Sequence, residues 1–408
     1  MSAFTPPGEI LAAYANVLVH FGLGDGAGIA AGDVVGVEVS EDAKPLLLEV
    51  AKAVWRAGGH LIPTLFPADD ADWNLQRAFF ELASDAQLDF FPDAWWRSYF
   101  ASLDHYLMVG ANRDPHSLAG VDPERIYRHE RAQGPKLSHR FDRVRAGKLT
   151  WCLAGYPTAA VAAEAQMTLA EYWEEVIAAC FLDDPDPVAR LRESNATIAA
   201  TVDWLNALAI DRLHVQAPGT DLWLVLGAER RWLGGGSVNI PSFEIYTSPD
   251  WRGTEGTIAF SEPLYWNGTV IEGIVLTFCD GSVTAATATR GEAELLALVG
   301  VDAGAGRVGE FSLTDGRISR LTRFMADTLY DENRGGPTGN THIAVGRSYT
   351  ETYTGPVEHL DGPTREVLGY NDSAIHVDII STSDRTVTAT LADGSERVIY
   401  AGGAFQRD

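Results

Sequence analysis

Residues 33–66 read in immediate succession as a strand, an amphipathic helix and a second strand: "DVVGVEVS" (33–40), "EDAKPLLLEVAKAVWRAGG" (41–59) and "HLIPTLF" (60–66). A helix crossing between two strands sets them parallel, so this stretch commits the first part of the chain to a βαβ unit. The helical stretches "DAWWRSYFASL" and "TLAEYWEEVIAACFL" lie on either side of a further strand, "KLTWCLAG" (148–155), and helices are expected to cover the resulting sheet. The first part is therefore α/β with a parallel sheet.

From about residue 207 the texture changes. "RLHVQAP", "TDLWLVLG", "VIEGIVLTF", "GSVTAATA", "HIAVGRSY", "IHVDIIS", "RTVTATL" and "RVIYAGG" are short β-rich runs parted by glycine, proline and aspartate turns. "GEAELLALVG" and "SRLTRFMADTLY" read as helices among them. At 408 residues the chain is long for one core, and the change in texture divides it into an α/β domain, 1–206, and a β-rich α+β domain, 207–408.

Charge and cysteine usage exclude several classes. Lysine and arginine total 31 against 56 acids, a net charge of −25, which repels a phosphate backbone and anionic lipid alike. Neither nucleic acid nor a membrane surface is an expected partner. Cys152, Cys180 and Cys279 are widely separated and odd in number, with no spacing of a disulfide framework or a thiolate zinc site. With no cationic leader and no apolar run long enough to span a bilayer, the expected location is the cytoplasm. "GLGDGAG" (22–28) has the glycine density of a phosphate loop, but it precedes the first strand and lacks the lysine, so it reads as a plain loop. "GGPTGN" (335–340) is a turn-rich loop just ahead of His342.

Within "IHVDII" (375–380), alternation puts His376 and Asp378 on one face of a strand and Ile375, Val377 and Ile379 on the other. One such pair is too little for a hydrolytic site with two divalent metals, which needs several oxygen and nitrogen ligands and a carboxylate able to bridge. The same half supplies more candidates: Glu244 in "NIPSFEIYTSP", Glu310 in "VGEFSL", and His342 and Tyr349 in "HIAVGRSY".

The order and spacing of these pieces resemble the M29 metallopeptidases, the aminopeptidase T and aminopeptidase S group. "NIPSFEIYTSP" is similar to that family's Asn-x-Pro-Thr-Glu-Glu segment and "GRVGEFSL" to its Gly-Glu-Val segment. "LYDENRGGPTGNTHIAVGRSY" is similar to its Asp-Glu-Asn, His and Gly-x-x-Tyr segments, and "IHVDII" to its closing His-Val-Asp. The resemblance implies two divalent metal ions (zinc, cobalt or manganese) held by Glu244, Glu310, His342, Tyr349, His376 and Asp378. It also implies a homodimeric aminopeptidase that hydrolyses short peptides, with Glu310 nearest the attacking water and Tyr349 ligating a metal or donating to the oxyanion. Three departures bear on specificity. Phe243 stands where the family has the first of two glutamates, "RGGPTGNT" lengthens the loop before His342 so that it could cap the site, and "YPTAAVAAEA" lacks a tryptophan.

Two other function classes stay open at this level. Relatives of the family resemble ring-cleaving dihydroxypyridine dioxygenases with one iron(II), for which the triad would be His342, His376 and Asp378. Such a site has no need of Glu244, Glu310 and Tyr349. A non-catalytic binding protein would require all six residues to coincide in type and order without purpose. A two-metal site hydrolyses amides generally, so an unusual amide is a further candidate substrate.

Overall fold

The computed structural model describes residues 4–70, 72–356 and 359–407, which form two compact units. One comprises residues up to Arg192 together with Gly236–Ser242, and the other Glu193–Gly235 and the chain from Phe243 onward. This division differs from a single cut at 206/207. The helix Pro187–Ala207 is shared between the units, and 236–242 returns to the first because Asn239–Ile240 pairs with Thr150–Gly155.

The first unit is built on a parallel sheet in the order His60–Phe66, Val34–Ser40, His105–Gly110, Thr150–Gly155, Asn239–Ile240. The βαβ reading holds, with Lys44–Arg56 as the crossover helix. Its Leu46, Val50 and Val54, spaced by four, are buried and it packs on Val34–Ser40, whose Val35, Val37 and Val39 are buried in turn. Gly36 faces the other way, where an added Cβ would strike Leu103 and the Tyr99 hydroxyl. The strand His105–Gly110 and the helix Pro123–Arg145 were not anticipated. The helix does carry a start signal: Asp122 accepts from the Glu124 N–H and Pro123 takes the first position, where its missing N–H costs nothing.

The second unit is antiparallel. An eight-stranded sheet runs Ser282–Thr287, Val275–Cys279, Asp250–Ala259, Thr220–Val225, Ile210–Ala217, Thr386–Leu391, Glu396–Ala401, Ala404–Phe405. A five-stranded sheet runs His376–Ser381, Asn340–Gly346, Val308–Thr314, Glu244–Thr247, Leu233–Gly234. Two readings are corrected here. "VIEGIVLTF" is two strands, Thr269–Ile271 and Val275–Cys279, parted at Gly273, whose φ of 64° and closeness to Thr289 suit only glycine. "SRLTRFMADTLY" is helical only in the single turn Thr328–Asp331, because side chains take the backbone groups that a helix would pair. The Asp331 carboxylate accepts from the N–H groups of Met325 (2.7 Å) and Asp327 (3.1 Å).

Candidate metal centre

The five-stranded sheet has one polar and one apolar face. Register pairs Glu244 with Thr314, Ser312 with both Tyr246 and His342, Glu310 with Ala344, Ala344 with Asp378, and Gly346 with His376. Residues directly opposite in a ladder share a face, so Glu244, Glu310, His342, His376 and Asp378 all stand on the same one. The small side chains of Ser312, Ala344 and Gly346 lie between them. The reverse face is a continuous core of Ile245, Phe311, Leu313, Ile343, Val345, Val377 and Ile379, all buried.

Glu310 reaches the polar face only through a bulge. Val308 pairs with Val345 and Glu310 with the next residue, Ala344, leaving Gly309 as the extra residue. The bulge turns Val308 to the apolar side and Glu310 to the polar side. A Cβ at Gly309 would sit 2.3 Å from the Arg347 carbonyl oxygen and 2.5 Å from that of Gly346, so only glycine fits.

The side-chain tips converge. His342 Nε2 lies 3.4 Å from Glu244 Oε2, 3.6 Å from Glu310 Oε1 and 3.7 Å from Asp378 Oδ1. His376 Nε2 lies 3.1 Å from Glu310 Oε2 and 3.5 Å from Asp378 Oδ1. Two triads result, Glu244/Glu310/His342 and Glu310/His376/Asp378, each with its ligand atoms within 4.8 Å of one another, and Glu310 belongs to both. His376 Nδ1 donates to the Arg347 carbonyl at 2.7 Å, which turns Nε2 inward onto Glu310 and Asp378, the arrangement of a metal-ligating histidine.

The electrostatics follow from crowding. Burial, and after it the Glu310 charge, push the Glu244 carboxyl well above the ordinary range. Burial would depress both imidazoles, but hydrogen bonding to Glu310 and the surrounding carboxylates outweigh it at His342, and Asp378 and Glu310 outweigh it at His376, so both are raised. Burial would raise Asp378, yet the His376 charge holds it low. Buried Asp378 Oδ1 has no hydrogen-bond partner among the described residues. A set of carboxylate oxygens and imidazole nitrogens with such an unclaimed oxygen at its centre fits a divalent cation. A third cluster, Glu255/Cys279/Asp280, is exposed and lies on the other sheet.

The sixth candidate, Tyr349, stands at the rim. It lies beyond the strand Asn340–Gly346 with its N–H donating to Ser248 Oγ at 2.8 Å, and its ring centroid is 4.5 Å from that of His376. Two neighbours were missed by the sequence reading, Ser312, which donates to Glu244 Oε2 at 3.1 Å, and Tyr246, whose ring is 5.6 Å from Tyr349. Period two counted from Glu310 and Glu244 would have found both.

The departures noted in the sequence also take their places. Phe243 is buried at 1% exposure, and as the neighbour of Glu244 it points off the polar face. The loop before His342 is fastened beside the end of the strand His376–Ser381 that lies away from His376. Arg334 donates to Glu262 Oε1 (2.6 Å) and Thr382 Oγ1 (2.8 Å), and Thr338 Oγ1 donates to the Thr382 carbonyl (2.7 Å). "GLGDGAG" is a connecting segment with one 3-10 turn at Gly24–Gly26, and its Gly26 carbonyl and the nearby His20 carbonyl accept from Arg192.

Comparison with known proteins bears on this geometry. The profile of the family described as thermophilic metalloprotease (M29) matches residues 8–405. Aminopeptidase AmpS of Bacillus subtilis (strain 168) is 28% identical over 413 residues, covering 96% of this chain and 97% of the relative. Aminopeptidase T of Thermus aquaticus is 29% identical over 412 residues, covering 96% and 98%. Among solved structures, wild-type AmpT from Thermus thermophilus aligns with a TM-score of 0.82 at 26% identity, over 97% of this chain and 98% of that one. The 2,5-dihydroxypyridine dioxygenase of Pseudomonas putida KT2440 aligns with a TM-score of 0.54 at 12% identity, over 98% and 96%, and shares the fold alone.

Proposed function

The chain belongs to the M29 metallopeptidase family and is a metallo-aminopeptidase, and on that premise we propose that Glu244, Glu310, His342, Tyr349, His376 and Asp378 hold two divalent ions and release N-terminal residues from short peptides. The observation that carries this reading is the pair of triads meeting at Glu310. A carboxylate common to two ligand sets is what a dinuclear site requires, and a mononuclear iron triad has no use for it.

Bound there, divalent ions supply polarisation of the scissile carbonyl and a water acidic enough to yield hydroxide near neutral pH. The chain's own groups do the rest. Glu310 lies where the triads meet and is the carboxylate we place closest to the attacking water, so it takes the proton and passes it to the leaving amine. The bond from His376 Nδ1 to the Arg347 carbonyl fixes the ring so that Nε2 faces the cluster. Tyr349, at the rim, completes the ligand set or, with its proton retained, donates to the oxyanion as the carbonyl becomes tetrahedral.

The proposal extends to a cytoplasmic homodimer, the state that family membership suggests. Free thiols at Cys152, Cys180 and Cys279 suit a reducing compartment, and among the described residues no helix is long and apolar enough to cross a membrane.

Metal content and hydrolysis of aminoacyl anilides and dipeptides test the reading. Chelator-stripped protein is expected to regain activity with two equivalents of zinc, cobalt or manganese, and His376→Ala to lose at least one equivalent along with activity. A single equivalent of iron with oxygen-dependent ring cleavage would overturn it in favour of the dioxygenase class.

A further inference from the structure

The turn Asp331–Asn333, the "DEN" of the sequence, contains a fully buried asparagine with no part in the ligand set. Asn333 Oδ1 accepts from the Phe243 N–H at 2.5 Å, while its Nδ2 donates to the Leu329 carbonyl (3.0 Å) and to Glu332 Oε1 (3.2 Å). Both ends of the amide are thereby assigned: an N–H demands the oxygen and two acceptors demand the nitrogen. The Asn333 carbonyl accepts in turn from Ser319 Oγ at 2.6 Å. The side chain is held in one orientation by partners on every side.

Phe243 is the residue before Glu244, and Glu244 opens a strand of only four residues. The ladder to Val308–Thr314 ends at the pair Glu244 and Thr314, and on the other side the Gly235 N–H donates to the Glu244 carbonyl at 3.0 Å, so Phe243 stands at the edge of the ladder. Asn333 holds it there. The same turn also grips the partner: Thr314 Oγ1 donates to the Glu332 carbonyl at 3.1 Å. Asn340, two residues before His342 and paired with Thr314, donates through Nδ2 to the Asp331 carbonyl at 2.6 Å. Three residues thus tie down the chain beside Glu244, ahead of His342 and at the end of the strand that carries Glu310.

We propose that Asn333 is a positioning residue for Glu244, acting through the Phe243 N–H to hold that carboxylate in its triad. The inference rests on the two-ion reading of the site. Glu244 meets its triad at separations of 3.1 Å to Ser312 Oγ and 3.4 Å to His342 Nε2, so releasing the backbone on one side tilts the carboxylate out of reach. Removing the amide oxygen also takes this acceptor from the buried Phe243 N–H and loosens the entrance to the strand.

Calorimetric titration of the chelator-stripped full chain with Mn²⁺ and with Zn²⁺ tests this. Asn333→Ala and Asn333→Ser both withdraw the oxygen from Phe243, and each is expected to weaken one of the two equivalents by about tenfold or more. Ser319→Ala loosens the same turn without touching the Phe243 N–H and is expected to bind as wild type does. In a Glu244→Gln background, Asn333→Ala is expected to add no further loss, since the residue it acts through is gone. Wild-type affinity in both Asn333→Ala and Asn333→Ser, or an undiminished loss in the Glu244→Gln background, overturns the positioning role alone. Uptake of fewer than two equivalents by the wild type overturns the two-ion reading and this inference with it.

Discussion

Each unit buries a glutamate on a strand, Glu38 in the first and Glu310 in the second, at 7% and 2% exposure. Glu38 meets Lys136 Nζ at 3.3 Å, and that ammonium sits 3.9 Å over the Trp96 ring. Burial lowers the Lys136 pKa while Glu38 works against the shift, so the two groups balance each other within the fold. Glu310 meets His376 and His342, but Glu244 and Asp378 crowd the same imidazoles. Three acids face two imidazoles there. A buried acid with its own cation belongs to the architecture, whereas acids gathered in excess of cations mark a place that takes positive charge from outside.

Neutralising each glutamate tests that distinction, and the two substitutions are expected to fail in different ways. Glu310→Gln removes the carboxylate common to both triads, and in the role proposed for it kcat is expected to fall by about 10³-fold, the range for losing a group that moves the reacting proton. Removing one of three crowded carboxylates also relieves repulsion, so urea unfolding of the metal-free variant is expected to change by less than about 1 kcal/mol. Glu38→Gln strands Lys136 instead. Losing one partner of a fully buried pair costs several kcal/mol, and with the Lys136 side chain 27% exposed the expected loss is about 2 kcal/mol, with activity per folded molecule unchanged. If the metal-free Glu310→Gln protein unfolds while Glu38→Gln is neutral, the comparison is reversed and the polar face is part of the fold's own support.

How far the sequence carried this distinction depended on range. Alternation alone placed His376 and Asp378 on one face and Val377 and Ile379 on the other, as found. The same rule applied to "VGEFSL" puts Val308 and Glu310 together, and only the pairing partner reveals that Gly309 bulges and separates them. The region 319–330 has helical composition, yet its N–H groups are claimed by Asp331, which local propensity does not register. Gathering five candidate ligands from four strands is likewise a matter of register, so without the resemblance each would have remained one polar residue among many. Strand His105–Gly110, in the middle of the parallel sheet, was missed because a single buried run of six residues carries little periodic signal.

Asp331 is a third kind of buried acid, and it sharpens the comparison with the smallest effect. It is 3% exposed, and backbone N–H groups accompany it where Glu38 has an ammonium. Burial outweighs those bonds and pushes its carboxyl from an ordinary value near 3.8 up to about 8. A pKa raised by folding means that the neutral form is the one the fold accommodates. The stability it contributes is therefore fully present below pH 3.8 and is lost as pH rises through about 8. Asp331→Asn cannot ionise and offers one oxygen where the carboxyl offers two, so it is expected to cost about 1 kcal/mol at pH 5. That difference should shrink and then reverse by pH 8, because the unfolded wild type is ionised over this range while the folded carboxyl holds its proton, a loss of stability that the variant does not share. Urea unfolding at the two pH values decides the matter: a difference that stays constant or grows would mean that Asp331 is ionised throughout and balanced within the fold, as Glu38 is.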